Sequence, residues 1–167
     1  MIQNIRRSLT DLLGAEYTAA VCRARAALTG ESPEALRAVA DEKVDFYPEA
    51  FARRQEELMG DIGHSLAPAF ADTEDGAPTH SYRAAQHSFA APLGGLGAFR
   101  IGEDGRLYFA GKSEHYQIPL GHDFPGYSLI ENAKRLGIPN ATHNNTRGFI
   151  TRTLERRLIA AANGLQP

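Results

Sequence analysis

The residues best equipped for chemistry crowd between Glu114 and Gly148. Glu114, His115 and Tyr116 come first, His122 and Asp123 follow across a Pro-Leu-Gly step, and Thr142, His143, Asn144, Asn145, Thr146 and Arg147 close the stretch. Three of the chain's six histidines fall here, so hydrogen-bonding and proton-accepting groups are concentrated in one segment. Gly121, Gly126 and Gly148 lie among them, where the lack of a side chain lets backbone approach a ligand or another segment closely. Arg147 has the planar fork that grips a carboxylate through two hydrogen bonds.

The same residues admit other chemistry. His115, His122 and His143, with Glu114 or Asp123 as a carboxylate, have ligand types suited to a metal ion, though without a compact ligand motif. A hydrolase built on Ser113 and His115 lacks the glycine pattern of a nucleophile elbow. Structural duty is the plain alternative, with Asn144, Asn145 and Thr146 capping the following helix and His122 hydrogen-bonded in a core.

The elements that must position these groups can be read from the hydrophobic pattern. Ile2, Ile5, Leu9, Leu12 and Leu13 follow helical spacing up to Gly14. Tyr17, Val21 and Leu28 continue a helical face to Thr29 and Gly30. Ser32, Pro33 and Glu34 form an N-cap, a first-turn proline and a favourable N-terminal charge for a helix with Leu36, Val39, Ala40 and Val44 inward. Phe51, Gln55, Leu58, Ile62 and Leu66 predict one more amphipathic helix before Pro68. Residues 1–70 thus read as a helical block and 71–97, rich in Ala, Pro, Gly, Ser and His, as a linker or arm. In 98–167, Phe99, Ile101, Leu107 and Phe109 flank an Asp104–Gly105 turn and predict a β-hairpin. Leu129, Ile130, Ala133 and Leu136 predict a helix stopped by Gly137 and Pro139, and Ile150, Leu154, Leu158 and Ala161 predict the inward face of a last helix. The fold class expected is α+β and mostly helical.

Composition bounds the function. The chain has 167 residues, 43% hydrophobic and 23% charged, with a net charge of −2. One domain with an appendage fits that length, and the charge argues against a nucleic-acid partner, which needs a concentrated basic face. Without a long apolar run or a secretory leader, the expectation is a cytoplasmic protein with no membrane partner. Cys22 is the single cysteine, so an intrachain disulfide and a thiolate metal cluster are excluded.

From Pro92 onward the order of features resembles the N-terminal portion of class III (fold type I) pyridoxal-phosphate (PLP) aminotransferases. The matching residues are Gly97 and Phe99, the Asp104–Gly105 turn with Leu107 and Tyr108, then Leu120, Gly121, His122 and Pro125, with Phe124 where that family has a second histidine. Thr142 to Gly148 and the helix through Leu154 and Ile159 look similar to the segment leading into the large cofactor-binding domain. The resemblance implies an N-terminal fragment that folds over the active site and the dimer interface, contributing to recognition of an amino donor and a keto acceptor, and the candidate site residues matching that role are Ser113, Glu114, His115, Tyr116, Gly121, His122, Asn144, Asn145, Thr146 and Arg147. It implies PLP in the full-length parent and none held by this chain alone. The Schiff-base lysine of such enzymes lies far downstream, and Lys43, Lys112 and Lys134 have no matching context. The partners implied are the remainder of the parent enzyme and a second subunit. The competing expectation is a non-catalytic helical dimerisation or interaction module, since helices with one apolar stripe must pack on something.

Overall fold

The computed structural model describes residues 3–70, 79–81, 91–110, 121, 123–138 and 147–165. It is α+β and mostly helical, with N-terminal helices followed by a three-stranded antiparallel sheet and two further helices. The chain divides into two units, Met1–Arg6 with Asp45–Tyr127 and Arg7–Val44 with Ser128–Pro167. The short strands β1 (Arg6–Arg7) and β2 (Val44–Asp45) pair where the chain passes from one unit to the other.

In the helical unit, α1 (Leu9–Leu13) begins at a capping box. The Ser8 hydroxyl accepts from the Asp11 N–H at 3.1 Å, and the Asp11 carboxylate accepts from the Ser8 N–H at 2.8 Å. Two otherwise orphaned donors are satisfied reciprocally, so the helix starts there and Ile5 stays outside it. α2 (Ala15–Thr29) turns Thr18 and Cys22 inward, because they share one face at i and i+4, and leaves Leu28 84% exposed. α3 (Pro33–Asp41) is capped by Ser32, whose hydroxyl accepts from the Ala35 N–H at 3.2 Å, and buries Leu36, Val39 and Ala40, but it ends before Val44, because Glu42 turns extended and Val44 pairs in β2. α5 (Ser128–Arg135) buries Leu129, and its end closes with the Ile138 N–H bonded to the Ala133 carbonyl at 2.9 Å. Gly137 takes the left-handed conformation that this closure needs. Leu136 and Ile138, both buried, complete the core.

The last helix, α6 (Phe149–Ala162), departs from its predicted role. None of its residues is buried, and Leu154, Leu158 and Ile159 are 54%, 59% and 62% exposed. Among the described residues it makes a ring contact through Phe149, stacked on Tyr17 at 4.5 Å between centroids. The apolar stripe is present as the spacing requires, but among the described residues nothing covers it.

In the sheet unit, α4 (Glu49–Leu58) gives way to a 3-10 turn at Met59–Asp61. The expected helical stripe therefore ends at Leu58. Residues Gly63 to Leu66 instead run along the sheet, the Gly63 N–H donating to the Leu107 carbonyl, the Leu107 N–H to the His64 carbonyl and the Leu66 N–H to the Gly105 carbonyl, each at 2.8 or 2.9 Å. The apolar spacing there does not carry a helix, since Gly60 and Gly63 break it and the edge of the sheet supplies replacement hydrogen bonds. The sheet itself comprises β3 (Pro92–Leu96), β4 (Phe99–Gly102) and β5 (Leu107–Phe109), in that order. The expected hairpin is β4–β5, in register with Phe99 opposite Phe109 and Ile101 opposite Leu107. β3, which lies within the stretch read as an arm, pairs with β4 through Leu96 opposite Phe99 and Gly95 opposite Arg100. Its two glycines and its proline hide a strand from propensity. Leu58, Phe99 and Leu107 form the buried cluster, with Leu96 and Ile101 packed against it.

Candidate functional site

Of the candidate site residues, Gly121 and Arg147 are described. Ser113, Glu114, His115, Tyr116, His122, Asn144, Asn145 and Thr146 lie outside the described residues, as do His143 and Lys112. What the structure does display is how Gly121, Asp123 and Phe124 are held.

Gly97 and Gly121 meet backbone to backbone in the sheet unit. Both take positive φ, 57° and 78°, and a Cβ built on Gly121 would lie 2.3 Å from the Gly97 carbonyl oxygen. Only glycine allows that approach. The Gly97 N–H donates to the Asp123 carboxylate at 2.8 Å, and the next N–H, that of Ala98, donates to the Gln55 side-chain oxygen at 3.3 Å. An α4 side chain and the Asp123 carboxylate thus satisfy the two donors at the β3–β4 corner. Phe124 then anchors the far side. Its ring lies 5.6 Å from Phe46, 5.5 Å from Tyr47 and 5.4 Å from Tyr127, centroid to centroid, with only 8% of the residue exposed. Four rings in tilted and edge-to-face contact bury a large apolar area. A histidine at 124 would bring a polar ring into that cluster, which is a physical reason for phenylalanine there.

Arg147 lies at the start of α6 in the helical unit. Its guanidinium pairs with Glu155 at 2.8 Å, and its carbonyl accepts from Arg152 at 2.6 Å. The group expected to clamp a substrate carboxylate already holds a carboxylate of its own chain, with 65% of its side chain exposed.

The electrostatics elsewhere are those of structural hydrogen bonds. Tyr108 donates to Asp104 at 2.7 Å. That bond, more than any other influence, holds the Asp104 carboxyl below its ordinary range and pushes the Tyr108 phenol up. Asp104 also accepts from the Arg106 N–H at 3.0 Å, so the pair braces the β4–β5 turn. Asp11 is held at about 2, first by its hydrogen bond from Lys43 and then by the Ser8 N–H. Burial pushes the Cys22 thiol up, as suits a packing residue.

Among the described residues no group of three or more His, Cys, Asp or Glu side chains could hold a metal ion, and no helix is long and apolar enough to cross a membrane. Of the described lysines, Lys43 is ion-paired with Asp11 at 2.6 Å and Lys134 with Glu131 at 2.7 Å, both about half exposed. Sequence reasoning missed Gln55 and Asp123 as the residues that organise the Gly97 corner. No local signal marked them, since Gly97 stands between Leu96 and Ala98 and the pairing spans positions far apart in the chain. No family model matches this chain, no curated protein matches it, and no solved structure matches it.

Proposed function

We propose that this chain is the N-terminal part of a PLP-dependent aminotransferase, contributing substrate-recognition and dimer-interface residues to an enzyme whose Schiff-base lysine lies in the rest of the parent protein. The observation that carries the reading is α6. The helix likened to the entrance of the large cofactor-binding domain is the one that buries none of its residues and leaves Leu154, Leu158 and Ile159 bare. An apolar stripe of that kind gains stability only when something covers it. The Gly97–Gly121 contact adds support, because it joins two positions of the motif that lie far apart in sequence. The amino donor and keto acceptor are small molecules, and PLP is held by the parent.

The test is expression of this chain together with the sequence that follows Pro167 in its reading frame. A yellow protein with a borohydride-reducible adduct and amino-transfer activity is expected, while the 167-residue chain stays colourless with added PLP. An extended protein without that adduct, or a yellow isolated chain, overturns the proposal. The same bare helix favours a second reading, a non-catalytic interaction module. A stable homodimer of the isolated chain, combined with an extended protein lacking PLP, is the outcome that selects it.

A further inference from the structure

The helix α6 runs out at Asn163 and Gly164, and no other asparagine of the chain is followed by glycine. That order matters chemically. The backbone nitrogen after an asparagine can attack the side-chain amide carbon and close a small ring, and a side chain on the attacking residue crowds the approach. Glycine has none. A Cβ added at Gly164 would meet nothing within 4 Å, so the space beside the attacking residue is open.

The folded helix end holds both reacting groups out of position. Asn163 caps the helix with φ −100° and ψ 9°, and its side-chain Nδ2–H donates to the Ile159 carbonyl at 2.8 Å. The Gly164 N–H donates to the Ala161 carbonyl at 3.2 Å and the Leu165 N–H to the Ala160 carbonyl at 2.8 Å, with Gly164 left-handed at φ 66°. These are the paired bonds of a Schellman closure. With its N–H turned to a helix carbonyl, the Gly164 nitrogen meets the Asn163 amide only when the turn opens. Little besides those bonds keeps it shut. The closure is commonly braced by an apolar contact from the residue after the glycine, here Leu165, which is 62% exposed, and α6 buries none of its residues. A helix end held by solvent-exposed hydrogen bonds without apolar burial opens at small cost.

We propose that Asn163 is a site of spontaneous deamidation, gated by opening of the last turn of α6. In the open turn the Gly164 nitrogen gives its proton to a solvent base and bonds to the Asn163 side-chain carbon, the bond from that carbon to Nδ2 breaks, and ammonia leaves. Water then opens the succinimide at either carbonyl, giving aspartate or isoaspartate. The net change is one water taken up and one ammonia released. The product is a carboxylate at the negative end of the helix macrodipole, without the Nδ2 donor to Ile159, so the turn closes less well than before.

The test incubates the full chain at neutral pH and maps its peptides by mass, in ordinary and in heavy-oxygen water, beside the chain unfolded in urea. Conversion at Asn163 to both acids with uptake of solvent oxygen is expected, ahead of Asn4 and Asn132, which precede Ile5 and Ala133. In the folded chain it should run about tenfold slower than in urea, the retardation set by one or two exposed hydrogen bonds. Gly164→Ala should slow it severalfold even though alanine strains the positive φ and loosens the turn, whereas control by fraying alone would speed it. Asn163 converting no faster than Asn4 and Asn132, equal rates in the folded and unfolded chain, or undiminished conversion in Gly164→Ala overturns the proposal.

Discussion

At Gly121 a single hydrogen atom decides whether two segments can touch. A methyl group in its place would meet the Gly97 carbonyl oxygen at 2.3 Å, and backbone cannot rotate out of the way as a side chain can. Positive φ adds to the cost. We expect Gly121→Ala to destabilise the sheet unit by about 2–3 kcal/mol, read as a lowered urea midpoint. Gly97→Ala meets the Gln55 side chain instead, at 1.9 Å, so the double change Gln55→Ala with Gly97→Ala should relieve part of the loss. Asp11 makes a pH prediction. Its folded-state value of about 2 is below the ordinary 3.8, so its contribution is present in full above about pH 4 and is lost as pH falls through 2. The urea midpoint should decline across that window in the native chain and less steeply in Asp11→Asn. Because Asp11 is partly exposed, screening by salt should reduce the difference.

Among the elements, α3 and α6 have comparable apolar content in their sequences and opposite fates. Leu36 is 1% exposed and Leu158 is 59% exposed. Leu36→Ala should cost about 2–5 kcal/mol through lost burial and a residual cavity. Leu158→Gln should stay within about 0.5 kcal/mol in the isolated chain. Equal destabilisation by the two changes in chemical denaturation would contradict the exposure of α6. Helix starts were legible at Ser32, where the cap, the proline and the acidic first turn lie in adjacent positions. At Ser8 the capping box was equally local, but Ile2 and Ile5 extend the apolar spacing upstream and disguise the start. The end of α4 was not legible, because Ile62 and Leu66 keep helical spacing while the hydrogen bonds that compete with the helix come from β5, about forty residues away in sequence.

On the scale of the molecule, residues 7–44 share a unit with residues 128–165, and the sheet unit is inserted between them. Leu129, Leu136 and Ile138 are buried in the same unit as Leu36 and Val39. A chain truncated after Tyr127 should therefore lose helical signal in far-ultraviolet circular dichroism beyond that of the deleted helices, because α1–α3 would lose part of their core. Loss in proportion to the deleted residues alone would contradict this. The candidate site shows the same division of information. The sequence marked Gly121 and Arg147 as polar-segment residues, but their partners, Gly97 and Glu155, are chosen by the folded chain.

What the sequence determined by itself is local: the helix caps, the Asp104–Gly105 turn, the Gly137 stop, the mostly helical α+β class and the single cysteine. These depend on contacts within a few residues, so residue type and spacing carry them. Only the tertiary structure decided that Pro92–Leu96 is a strand, that Gly63–Leu66 lies along β5, that Phe124 gathers Phe46, Tyr47 and Tyr127, and that the α6 stripe stays bare. Each of these is a choice among distant partners, and apolar spacing states that a face needs covering without stating what covers it.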